Sequence, residues 1–165
     1  MFMSMGKFLF ASGLVLVFAA AAALYSGVIT VPDRWNPWAP MTLAEPPNWL
    51  TRFKLARASA NDELCRGTLE QAEMKYTLLP DRVTGPECGF RNAVRISATS
   101  ARLDEAFSLS CRSALSLALW EMHVLQPAAR LHFGQPVARL EHFGSYACRN
   151  VYGREGGTRS RHATA

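Results

Sequence analysis

From Phe8 to Val31 the chain carries no charged residue, and the run holds Leu9, Leu14, Val15, Leu16, Val17, Phe18, the alanines Ala19 to Ala23 and Leu24. A helix of about 20 apolar residues crosses the hydrocarbon core of a bilayer, and this run meets that length. Signal-peptide cores are shorter, about 7–15 residues, and end at small side chains. The pattern therefore predicts an uncleaved membrane anchor over residues 1–31, with a signal segment cleaved near Ala19 to Ala23 as the alternative. Lys7 is the only charge before the run, which sets the N-terminus on the cytoplasmic side. Trp35 and Trp38 follow where amphipathic rings sit at a membrane surface, or simply belong to the next segment. That segment, 32–60, contains Pro32, Pro37, Pro40, Pro46 and Pro47 and predicts a semi-rigid, extended Pro/Trp-rich linker.

Beyond residue 60 the periodicity changes. Asn61 or Ser59 is placed to cap a helix whose Leu64, Leu69, Ala72 and Met74 share one face, with Leu79-Pro80 as its end. Thr84 to Gly89 is turn material, and Ala93-Val94-Arg95-Ile96-Ser97 alternates as a short strand does. A second helix is predicted from about Leu109 to Val124, with Ala114, Leu115, Ala118, Leu119 and Met122 as its stripe and Trp120 in the core. Pro127 interrupts or restarts it, and Phe133-Gly134 is its stop. Val137 to His142 reads as a strand, and the glycines Gly153, Gly156 and Gly157 make 149–160 a loop. Helices and short strands mix without a βαβ rhythm, so the expected class is α+β: a small domain of helices and antiparallel strands over 61–165.

Composition adds compartment and partner. The chain has 165 residues and a formal net charge of +5, and of its 18 basic residues three are lysines (Lys7, Lys54 and Lys75). A mild Arg-based excess allows an anionic polymer as partner. It lacks the basic stripe interleaved with aromatics of a nucleic-acid surface, so no nucleic-acid partner is expected. Cys65, Cys88, Cys111 and Cys148 all follow the apolar run, and no two form a C-x-x-C pair. An even set in an exported domain predicts disulfides, with three connectivities open.

The candidate chemistry rests on four histidines. His123 and His132 lie in helical surroundings without a paired ligand and read as structural. His142 stands at a strand end and either lines a site or packs against one. His162 lies in Ser160-Arg161-His162-Ala163-Thr164-Ala165, where small neighbours let an imidazole approach a metal. Ser145 lacks the G-x-S-x-G elbow. Gly153-Arg154-Glu155-Gly156-Gly157 lacks the Lys-Ser/Thr of a phosphate loop.

The runs Gln126-Pro127-Ala128-Ala129-Arg130, His142 to Asn150 and Arg159 to Ala165, with Cys65, Leu79-Pro80, Cys88-Gly89 and Arg91 to Val94 upstream, resemble the bacterial extensin-like C-terminal domain family. That domain is similar to zinc peptidases of the D-Ala-D-Ala and lysostaphin type, whose motif S-x-H-x-x-(G/A)-x-A-x-D carries a zinc-binding His and Asp. Ser160, His162 and Ala165 match its opening. The resemblance implies His162 as a zinc ligand, Arg149, Arg159 and Arg161 as partners of substrate carboxylates, and peptidoglycan as the substrate. The motif's Asp would fall beyond Ala165, so the expectation is the N-terminal part of such a peptidase, inactive by itself and without bound zinc. The alternative is a non-catalytic, membrane-anchored wall-binding module. Either predicts a single pass through the inner membrane with the C-terminal domain in the periplasm, or secretion after signal cleavage.

Overall fold

A computed structural model describes residues 5–163. The chain divides into two compact units, Met1–Asn36 and Pro37–Ala165. In the first, α1 spans Met5–Tyr25. At 1.5 Å per residue it is about 31 Å long, against a hydrocarbon core of about 30 Å. Its Gly6–Tyr25 stretch has a mean hydropathy of 2.2 and none of it is buried, as befits a membrane span or a signal sequence. The motif residues Thr164 and Ala165 lie outside the described residues.

The second unit begins with the segment expected to be a linker, and here the structure departs from that expectation. Met41, Leu43 and Leu50 are buried, and Thr51–Ala60 is a helix, α2. Backbone groups of 40–43 are tied down from a distance. Gln71 Oε1 accepts from Leu43 N at 3.1 Å, and Lys54 Nζ donates to the Pro40 carbonyl at 3.3 Å. Prolines restrict the backbone but do not prevent side chains between them from entering a core. Trp38 packs edge-on against Phe53, with the Arg57 guanidinium 5.4 Å from its ring centre.

Asn61 caps α3 (Asp62–Leu69) as expected, its side chain accepting from Leu64 N at 2.8 Å. The helix stops at Leu69, however. Met74 lies outside it, and the residues up to Leu79 form strand β1 (Lys75–Leu79). Strands β2 (Arg82–Gly85) and β3 (Cys88–Phe90) form a hairpin across Pro86-Glu87, so most of the expected turn is strand. Gly89 is required there, because a Cβ would stand 2.3 Å from the Arg82 carbonyl oxygen.

Strand β4 (Ala93–Ala98) is the centre of an antiparallel sheet ordered β1-β4-β6, with β6 at Phe107–Ser110. Val94 and Ile96 are fully buried while Arg95 between them is exposed, the period-2 pattern read from the sequence. Strand β5 (Arg102–Leu103) pairs in parallel with β7, which covers only Arg139–Leu140 of the expected 137–142.

Ser110 caps α4 (Cys111–Trp120), whose Ala114, Leu115, Ala118 and Leu119 join Leu43, Leu69 and Ile96 in the core. Trp120 is 43% exposed rather than core. The expected continuation to Val124 widens into a π-turn, Glu121–Leu125, before α5 (Gln126–Phe133) begins. Pro127 accounts for this, since it lacks an N–H and its ring would clash with the carbonyl four residues back in a straight α-helix. Gly134, at φ 70°, stops α5 in the left-handed conformation as expected. The described domain is thus α+β, with one short parallel pair beside its antiparallel strands.

Candidate functional site

Two disulfides select one of the three connectivities: Cys65 with Cys111, and Cys88 with Cys148. The first joins α3 to α4 in the core. The second fastens the C-terminal loop to β3 and shapes the site. Beside it the Phe90 and Tyr146 rings stack at 4.5 Å, and the Tyr146 hydroxyl hydrogen-bonds Thr84 Oγ1. The Ser145 hydroxyl donates to the Ser108 carbonyl on β6.

The loop then doubles back on itself. Val151 N donates to the Thr158 carbonyl at 2.9 Å, Ser160 N to the Arg149 carbonyl at 2.9 Å and Ala147 N to the His162 carbonyl at 2.7 Å. This return path carries His162 to Ser145. Between the loop and the sheet lies a groove of about 640 Å³, lined among others by Phe90, Arg95, Phe107, Ser108, His142 and Tyr146.

Hydrogen bonding separates the four histidines. His142 Nε2 lies 2.8 Å from the Glu105 carbonyl and its Nδ1 accepts from Gly144 N at 3.0 Å. A carbonyl only accepts, so Nε2 carries the proton and both nitrogens are used. The ring stacks 4.3 Å from Phe107, so His142 both lines the groove and packs against it. His123 Nε2 donates to the Leu43 carbonyl at 2.7 Å, a structural tie. His132 is exposed on α5.

His162 differs from these. Its Nδ1 donates to the Ser145 carbonyl at 3.0 Å, which fixes the tautomer and leaves Nε2 with its lone pair on an exposed ring. A backbone carbonyl behind one nitrogen is how proteins commonly aim the other at a metal. Zinc nevertheless needs about three protein ligands to be held for catalysis. Among the described residues no three His, Cys, Asp or Glu side chains converge to hold a metal ion. The described residues therefore do not fit a complete zinc centre.

The three arginines singled out with His162 are not gathered at one point by any contact. Arg149 and Arg161 are exposed. Arg159, half-buried and bridged through its backbone to Asn150, leaves its Nε buried without a partner. The groove's own charges come instead from Arg95, Asp104 and Glu105. Asp104 and, more weakly, Glu141 hold the Arg139 guanidinium above its usual pKa, through a hydrogen bond at 2.5 Å and their charges.

Residues 63–165 match the family model described as Extensin-like protein C-terminus. The chain belongs to this family. No curated protein and no solved structure matches it. The extensin-like domain begins by that match inside α3, yet Met41, Leu43 and Ala58 upstream of it share its core. Phe90, Phe107 and Ser108 were not legible as site residues, because they reach Tyr146, His142 and Ser145 respectively only through the fold. The Cys88–Cys148 pairing is the one signal that would have pointed to them.

Proposed function

We propose that this extensin-like chain works outside the cytoplasm, tethered to a membrane by α1, and that its groove engages the wall polymer peptidoglycan. In a cell with two membranes that compartment is the periplasm. The observation that carries the proposal is the His162 Nδ1 hydrogen bond to Ser145, a residue lining the groove, which turns the remaining imidazole nitrogen outward. That posture agrees with a wall-directed zinc-peptidase ancestry, with His162 as one metal ligand. With one such ligand described, the chain binds polymer and does not hydrolyse it. Arg149, Arg159 and Arg161 stand within the same loop as cations for peptide carboxylates. Two disulfides support an oxidising compartment.

The test uses the full chain in detergent with purified peptidoglycan. It is expected to co-sediment at low salt and to be released at high salt, with no soluble fragments formed. Chelator-sensitive release of wall fragments would overturn the non-catalytic assignment. Absence of retention at low salt would overturn wall binding itself.

A further inference from the structure

A helix on a folded domain ordinarily turns its apolar side chains inward and its charges out. On α2 one side is inverted. Lys54 is buried, its Nζ donating to the Pro40 carbonyl at 3.3 Å. The adjacent Phe53 is 42% exposed, and Trp49 and Trp38 are 77% and 71% exposed. Trp49, Phe53, Ala56 and Ala60 recur four, three and four residues apart, the spacing of one helix face, and all four are exposed. Leu50 is already in the right-handed helical conformation, so Trp49 continues that face ahead of Thr51. Trp38 joins it through its edge-on contact with Phe53, the ring centres 6.0 Å apart.

The charges on α2 are all of one sign: Arg52, Lys54 and Arg57. Arg52 is exposed and makes no ion pair among the described residues. The Arg57 guanidinium lies 5.4 Å from the Trp38 ring centre and donates from Nη1 to the Pro37 carbonyl at 2.7 Å, which braces cation and ring together. The acids nearest in sequence fall outside the helix: Glu45, half-buried, precedes it, and Asp62 and Glu63, both exposed, open α3 beyond Ala60. None of these residues lines the groove near His142.

Exposed tryptophan and phenylalanine flanked by arginine, on a helix without an acid, suit the headgroup layer of a bilayer. The rings enter the acyl boundary and the guanidiniums meet anionic phosphates. A bilayer is also close along the chain: Trp38 follows the end of α1 at Tyr25 by thirteen residues, a stretch that spans roughly 45 Å at most. We propose that the exposed face of α2 docks on an anionic phospholipid surface. The proposal rests on the reading of α1 as a tether and is separate from wall binding at the groove.

The test reconstitutes the full chain into vesicles of equal parts phosphatidylcholine and phosphatidylglycerol, brominated in the upper acyl chain. Trp49 is left as the sole tryptophan by Trp35→Phe, Trp38→Phe and Trp120→Phe, three exposed positions whose replacement spares the core. Bromine quenches only at contact range, so proximity to the bilayer alone does not register. Trp49 emission is expected to shift to the blue and to be quenched. Arg52→Gln is expected to lower the docked-to-free ratio about fivefold, and high salt to lower it as well. Flotation of the vesicles reads the tether separately. If the chain floats while Trp49 stays unquenched, docking is refuted and the tether stands; if the chain does not float, both fall. Equal quenching in pure phosphatidylcholine would overturn the anionic surface. A blue shift indifferent to bromine would mean that a protein or a second copy covers the face, which also overturns the proposal.

Discussion

Removing the disulfides one at a time separates chain entropy from packing. The sequence separations are 46 for Cys65–Cys111 and 60 for Cys88–Cys148. Loop closure alone gives roughly 4 kcal/mol for either, and favours the longer loop by only about 0.2 kcal/mol. Burial reverses that order. Cys65 and Cys111 are 0% and 1% exposed, whereas Cys148 lies at the surface. Replacing the inner pair by alanine also empties core volume, adding on the order of 1–2 kcal/mol. The double variant Cys65→Ala/Cys111→Ala is therefore expected to lose about 5–6 kcal/mol, and Cys88→Ala/Cys148→Ala about 4 kcal/mol. For a body the size of Pro37–Ala165 the unfolding entropy is on the order of 0.27 kcal/mol/K, so the inner pair shifts Tm by about 20 °C and the outer pair by about 15 °C. Tryptophan fluorescence during guanidinium unfolding of the full chain reads both losses without the helical signal of α1. If the outer pair costs as much as the inner one, the packing argument is refuted.

Three further outcomes are expected. Gly89→Ala drives a methyl group into the Arg82 carbonyl oxygen at 2.3 Å, which is expected to cost about 1–3 kcal/mol and to weaken peptidoglycan retention by displacing Phe90; unchanged stability would contradict the geometry. Asn61→Ala removes the acceptor for Leu64 N and is expected to lower stability by about 1 kcal/mol in denaturant titration. The Tyr76 phenol is pushed above its ordinary pKa of 10.0 by burial and then by the nearby Glu70 charge. The folded state thus holds its proton where the unfolded state has lost it, so this contribution is complete below pH 10 and fades as pH rises through the folded pKa. Tyr76→Phe is expected to flatten that alkaline decline, measured against wild type.

What was legible was what neighbouring residues decide. The Asn61 cap, the Gly134 stop and the alternation along Ala93–Ala98 are each written within a few positions. Strand β1 was missed because Leu69, Ala72 and Met74 keep helical spacing past the true helix end, while the pairing of β1 with β4 is fixed by residues far along the chain. The burial of Met41 and Leu43 was hidden by the prolines around them, which report on backbone rather than on packing. His162 was singled out from its motif, but its orientation depends on a backbone carbonyl 17 residues away, and every residue has a carbonyl. The burial of Lys54 gave no signal at all, since a lysine on a helix is ordinarily solvated.

The two disulfides interleave, Cys65 passing over Cys88 to reach Cys111, and Cys88 passing over Cys111 to reach Cys148. A chain that meets oxidant from its N-terminal side presents Cys65 and Cys88 together before either native partner has emerged. The earliest bond open to it is a wrong one. Oxidative folding of this protein should accordingly depend on an isomerase that reshuffles disulfides and not only on an oxidase that makes them, and recombinant production without one should yield a ladder of mispaired monomers.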